Sequence, residues 1–170
     1  QHRLIFAGSG VSYKGLDIAV QAFALLRNFF LDVEFHIFAN LHEWSDQKTK
    51  HLWPIDWLDE KGYPIWTKIE HELPGLKYFG TVEHEELANA FQKASLLIMP
   101  SRIKETFGIV SLEAQACGCI PVLLRRGGFP ETMREGSTGY LYDNNTPEDL
   151  ALFIRNLWTK KLPSDEQRFK

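Results

Sequence analysis

The sequence predicts an α/β domain: one parallel sheet, doubly wound, with helices on both faces. Two observations carry this. Short apolar runs of strand type recur at Leu4 to Ala7, Val33 to Phe38, Leu76 to Gly80, Leu96 to Met99 and Ile120 to Leu124, and stretches with helical apolar spacing separate most of them. Leu96-Leu-Ile-Met99 and Ile120-Pro-Val-Leu-Leu124 are almost wholly apolar, as strands covered on both faces must be. Such a sheet places its ligands at the carboxyl ends of the strands.

Each element follows from its residues. Leu4 to Ala7 is the first strand, and Leu16 to Arg27 a helix, with Asp17 giving its first turn a negative charge that suits the dipole. Val33 to Phe38 and Leu76 to Gly80 are the next strands, the second leading to a helix from about Glu83 to Ala94. Leu96 to Met99 ends at Pro100-Ser101, and the run Gly108 to Ala116 is helical before the strand Ile120 to Leu124. Gly139 to Tyr142 is short and strand-like. Thr146-Pro-Glu-Asp149 is a helix start, with a Thr cap, Pro at the first helical position and acidic residues in the first turn. That helix runs to about Trp158, and the polar stretch beyond Leu162 is expected to fray.

Between Asn40 and Pro74 the alternation breaks. This stretch holds Trp44, Trp53, Trp57, Trp66 and Tyr63. One or two extra helices burying these aromatics against the sheet would account for it. The alternative is an aromatic surface for a partner domain or a carbohydrate.

A chain of 170 residues fits one domain with a sizeable core. The net charge of -3 gives no reason to expect nucleic acid as a partner. No apolar run approaches the roughly 20 residues that span a bilayer. There is no signal-peptide pattern and the first residue is Gln1, so a fragment of a longer chain is expected. Cys117 and Cys119 are too close for the common zinc and redox spacings and read as reduced packing thiols, which fits a cytoplasmic setting. The six histidines show no metal spacing.

The chemistry concentrates in Glu105-Thr-Phe-Gly-Ile-Val-Ser-Leu-Glu113. Phe107-Gly108 stands at the start of a helix, where free N–H groups and the positive end of the dipole make an anion site. Gly108 would let a phosphate approach the backbone closely. Glu113 falls on the second turn, placed to accept from two neighbouring sugar hydroxyls, and Glu105 lies just outside the helix for a second polyol. One segment can thus hold a phosphate between two sugars. Gly10-Val-Ser-Tyr-Lys-Gly15 lacks the ending of a P-loop, and Gly8-Ser-Gly10 lacks the third glycine of a dinucleotide fingerprint.

Glu105 and Glu113 in this setting resemble the Glu-x7-Glu element of the retaining group 1 GT-B glycosyltransferases. Phe6 to Asp17 resembles that family's first strand and its Lys-Gly-Leu-Asp helix start. Gly127-Gly-Phe-Pro-Glu131, Gly136-Ser-Thr-Gly-Tyr-Leu141 and Pro147-Glu-Asp-Leu150 resemble its later elements in the same order. The resemblance covers most of the chain. It implies a Rossmann-like fold, the C-terminal, donor-binding half of a GT-B enzyme, with an N-terminal acceptor domain of the same parent chain as partner. The donor would be a nucleoside diphosphate sugar, with no metal or other cofactor. Full-length protein would be cytoplasmic, with peripheral attachment at a membrane face left open.

Residue by residue, the resemblance puts Lys14 on the donor diphosphate, where it stabilises the leaving group, and makes Lys14 and Glu105 the catalytic positions. Gly8, Ser9, Val82, Phe107, Gly108, Ile109, Val110, Glu113, Gly127 and Gly128 complete the donor site, with the 81–82 backbone bordering the nucleobase and Glu131 near the sugar. Ser9 departs from the family, which has arginine there and so a second cation on the diphosphate. Arg102, Arg125 and Arg126 lie on loops of the same edge as candidate replacements. The departure keeps a second reading open, a non-catalytic nucleotide-sugar-binding or assembly module. A GT-B epimerase fits less well, because such enzymes do not usually carry this Glu-x7-Glu layout.

Overall fold

A computed structural model of the chain describes residues 2–9, 12–40 and 51–160. The expectations placed on Trp44, on Gly10 and on the polar stretch beyond Leu162 fall outside those residues.

Six strands form one sheet: β1 (Arg3–Ser9), β2 (Glu34–Asn40), β3 (Leu76–Tyr78), β4 (Leu96–Met99), β5 (Ile120–Leu124) and β6 (Tyr140–Tyr142). Their order is β3-β2-β1-β4-β5-β6, and every pairing is parallel. Among the described residues four α-helices lie between strands, α1 (Leu16–Leu26), α2 (Trp66–Glu72), α3 (His84–Gln92) and α4 (Ile109–Ala116), and a fifth, α5 (Pro147–Thr159), follows β6. This is the doubly wound, Rossmann-like arrangement the alternation predicts. β3 stops at Tyr78, two residues short of the expected Gly80, although the Phe79 N–H still reaches the Ile37 carbonyl at 2.9 Å.

Strand alternation divides the core in two, because successive side chains point to opposite faces. Leu4 and Phe6 of β1, Ile37 of β2, Ile98 of β4 and Val122 of β5 join α1, α2 and α5 on one face. Ile5, Ala7, Phe38, Leu97, Met99 and Leu123 point the other way, onto Phe91 of α3 and Ala114 of α4. Cys119 is buried in this second cluster and Cys117 packs at its edge, neither of them in a disulfide.

The aromatic stretch is largely a packing element. Trp53 and Trp57 are buried in the larger core, and Trp66 stacks on Tyr78 with ring centroids 4.6 Å apart. It contains a short 3-10 turn (Ile55–Trp57) and α2. Side-chain hydrogen bonds fasten it to the sheet unit. Gln21 donates to the Leu52 carbonyl at 2.9 Å and the Tyr78 N–H to Glu70 at 2.7 Å, while Trp57 Nε1 donates to Glu72 at 2.6 Å within the stretch itself. Among the described aromatics of the stretch, the surface reading is left with Tyr63, which is exposed.

Candidate functional site

The strand order reverses between β1 and β4, which pair directly with each other. The loops leaving these two strands therefore diverge and leave a crevice, the usual ligand position of a doubly wound sheet. Gly8 and Ser9 end β1 there, and Lys14 ends a short 3-10 turn (Ser12–Lys14) just beyond. Residues 100–108 leave β4 on the opposite side and lead into α4.

Glycine geometry brings the two loops together. Gly15 has φ 74°, and a Cβ there would stand 2.0 Å from the Pro100 carbonyl oxygen. The Arg102 N–H donates to the Tyr13 carbonyl at 2.6 Å. Gly127 and Gly128 dock the loop after β5 onto the same segment: added Cβ atoms would stand 2.4 Å from the Glu105 carbonyl oxygen and 2.2 Å from that of Thr106, and the Gly128 N–H donates to Glu105 O at 2.8 Å. These two glycines thus act first on the loop that carries Glu105. Gly8 is different: a Cβ there would meet nothing within 4 Å, so its backbone borders open space.

Gly108 caps α4 in the left-handed region, φ 67°. The sequence assigns it to close approach by a phosphate. Its demonstrated neighbour is the buried Phe129 ring, which an added Cβ would meet at 2.5 Å, so packing alone already requires glycine. The Ser111 N–H bonds back to the Gly108 carbonyl at 2.8 Å, and no side chain caps the helix. The N–H groups of Ile109 and Val110 have no acceptor within the helix, by its geometry. Phe107 and Ile109 are exposed, while Val110 packs on the second core cluster.

Glu113 is half-buried and lines a cleft of about 240 Å³ with His84, Leu87, Phe91 and Cys117. A second cleft, of about 260 Å³, is lined by Gly8, Phe38, Asn40, Thr81, Val82 and again Leu87. Leu87 lines both, so the cleft of Gly8 and Val82 neighbours the cleft of Glu113. His84, to which the sequence assigns no chemistry, stands in the wall of the Glu113 cleft.

Lys14 Nζ donates to Glu105 Oε1, which also accepts from Ser101 Oγ at 3.1 Å. Both ionic side chains are largely shielded, 21% and 11% exposed. The two residues assigned to catalysis are thus in direct contact, across the β1/β4 switch. Of the candidate replacement cations, two are engaged elsewhere. Arg102 grips Asp17 through both oxygens, at 2.8 and 2.5 Å. Arg125 bonds Glu135 at 2.6 and 3.0 Å and Asp143 at 2.9 Å. Arg126 donates to the Arg102 carbonyl and, among the described residues, has no carboxylate partner. Glu131 is exposed on the short turn after Gly128.

Asp17 stands in the first turn of α1 as expected, but its surroundings are not legible in the sequence. It is 2% exposed and belongs to an ion pair. Sequence reasoning also missed Ser101, whose hydroxyl fixes Glu105. The one local signal was Pro100-Ser-Arg102 immediately after an apolar strand. Among the described residues no group of three or more His, Cys, Asp or Glu side chains is placed to hold a metal, and no helix is long and apolar enough to cross a membrane.

Comparison with known proteins follows the same lines. The profile of the family described as "Glycosyl transferases group 1" matches residues 1–170. The D-inositol 3-phosphate glycosyltransferase of Paenarthrobacter aurescens (strain TC1) is 32% identical over 157 residues, covering 91% of this chain and 35% of the relative. The protein of the same name from Pseudarthrobacter chlorophenolicus is 36% identical over 148 residues, covering 87% and 32%. The chain thus spans about a third of the length of these curated relatives. Among solved structures, Anabaena Alr3699/HepE in complex with UDP-glucose superposes with a TM-score of 0.74 at 19% identity, over 99% of this chain and 42% of that one. Sucrose-phosphate synthase (tll1590) from Thermosynechococcus elongatus gives 0.69 at 21% identity, over 99% and 38%. Fold, motif order and family profile agree, and the chain belongs to the group 1 glycosyltransferases.

Proposed function

We propose that this chain is the donor-binding half of a retaining GT-B glycosyltransferase, which moves a sugar from a nucleoside diphosphate sugar to an acceptor in the cytoplasm. The observation that carries the proposal is the Lys14–Glu105 contact beside the uncapped start of α4, at the strand-order switch. A diphosphate in the crevice would meet Lys14 and the N–H groups of Ile109 and Val110, which stabilise charge as it develops on a leaving group. The nucleoside would extend along the Gly8, Val82 and Glu113 clefts, and Glu105 would face the transferred sugar near Gly127 and Gly128. Names of the relatives support transfer to a hydroxylated acceptor, and UDP-glucose in the HepE complex supports the donor class. Lys14 and the backbone amides meet the anion in this reading without a metal. The acceptor site would belong to an N-terminal domain of the parent chain.

A second reading, a binding or assembly module without turnover, is favoured by Ser9 together with the engagement of Arg102 and Arg125 by carboxylates. Calorimetric titration of this chain with UDP-glucose, UDP, GDP and ADP tests the donor site. One of these should bind saturably, with an affinity unchanged by chelator; no binding by any of them would overturn it. Release of nucleoside diphosphate by the full-length parent chain then separates the two readings.

A further inference from the structure

Asp17 is a carboxylate almost fully buried, and such a charge persists in a fold only when paired and hydrogen-bonded. Its partner, Arg102, uses a two-pronged contact that a point charge cannot reproduce. Asp17 lies three residues after Lys14, and Arg102 three residues before Glu105. The buried pair and the site pair are therefore two cross-links between the same two segments. The rest of the seam is continuous with them. Tyr13 O accepts from the Arg102 N–H and, at 3.4 Å, from Ser101 Oγ, and Gly15 lies against Pro100.

We propose that Arg102 is a positioning residue for the donor sugar. Clamped by Asp17, it fixes the segment between Ser101 and Glu105 and so sets the Glu105 carboxylate in the crevice. This rests on the donor-site reading given above. Glu105 is held through its backbone by Gly128 and through its side chain by Ser101 and Lys14, all of which depend on where that segment lies. An ångström of displacement is enough to spoil such a contact.

The test is a set of dissociation constants for UDP-glucose and UDP, measured on wild type, Arg102→Lys, Glu105→Gln and the combination of the two. Arg102→Lys keeps the charge but loses the fork. Asp17→Leu with Arg102→Met removes the buried pair as a unit, a replacement that buried ion pairs commonly tolerate. Arg102→Lys and the Leu/Met variant should each weaken UDP-glucose about tenfold and UDP much less, and the Leu/Met variant should do so with a melting temperature close to that of wild type. Added to Glu105→Gln, Arg102→Lys should cost less than about twofold more, because the group it positions is already lost. Wild-type affinity in both Arg102 variants overturns the inference, as does an independent, multiplicative effect of Arg102→Lys and Glu105→Gln. If wild type binds UDP-glucose and Glu105→Gln weakens it, those outcomes condemn the inference alone. If wild type binds neither ligand, the donor-site reading fails and the inference falls with it.

Discussion

Lys14 Nζ donates to Glu105 Oε1, so the cation assigned to the diphosphate and the carboxylate assigned to the sugar neutralise each other across the crevice. In the proposed reading donor binding would exchange these partners, Lys14 turning to phosphate and Glu105 to sugar hydroxyls. Glu105→Gln should therefore act oppositely on two ligands. UDP should bind as well or better, because Lys14 loses a competing anion, while UDP-glucose should bind more weakly. Lys14→Ala should weaken both, by about 1–3 kcal/mol. Isothermal titration checks this, and parallel losses for UDP and UDP-glucose in Glu105→Gln would show that the carboxylate does not face the sugar.

Glu113 lines a cleft that is separated from the Gly8 and Val82 cleft by Leu87, which borders both. If it reads ribose hydroxyls, Glu113→Ala should weaken a nucleoside diphosphate by about 1–3 kcal/mol and leave inorganic pyrophosphate almost unaffected. Competition titrations with the two ligands measure this. Equal losses would remove Glu113 from the nucleoside.

Ser9 leaves the β1 end without the family's arginine, and Arg125 is held by Glu135 and Asp143. Ser9→Arg should tighten nucleoside diphosphate binding, more at low salt than at high salt. Arg125→Ala should leave the affinity unchanged, whereas Arg126→Ala measures how far the remaining arginine substitutes. Dissociation constants at two ionic strengths are sufficient, and a large loss in Arg125→Ala would mean its carboxylates release it to the ligand.

Much of this site was readable because its signals are local. Glu105, Gly108 and Glu113 share one short stretch, and the start of α4 follows from a glycine and a helical pattern. The strands were equally plain, since apolar runs such as Leu96-Leu-Ile-Met99 announce burial on both faces. What stayed hidden depends on distant partners. Asp17 looks like any acidic residue in a first turn, and only the fold brings Arg102 to it. Gly127 and Gly128 look like a turn beside a ligand until the Glu105–Thr106 backbone is seen lying on them. The tryptophans between β2 and α2 carried no period that told packing from surface, and for Trp53 and Trp57 only their burial in the fold decides for packing.

His36 on β2 gives the fold a pH dependence of its own. Burial, and secondarily the charge of Arg3, hold its imidazole below the ordinary value, against the opposing pull of Glu34 at 3.7 Å. The unfolded chain therefore takes up a proton first as pH falls through about 6.5, and stability should decline on acidification below that point. Urea unfolding at pH 7.5 and pH 5.5 should show the decline in wild type and a smaller one in His36→Gln. The same slope in both would assign it to other groups.

A nucleoside diphosphate seated at the start of α4 opposite Lys14 would be seen in the amide chemical shifts during a titration with UDP. Shifts should centre on Thr106 to Val110 and on Lys14, with smaller ones at Gly8 and Val82 in the neighbouring cleft. Shifts confined to the segment from Trp53 to Trp66, with the α4 start unmoved, would contradict that placement.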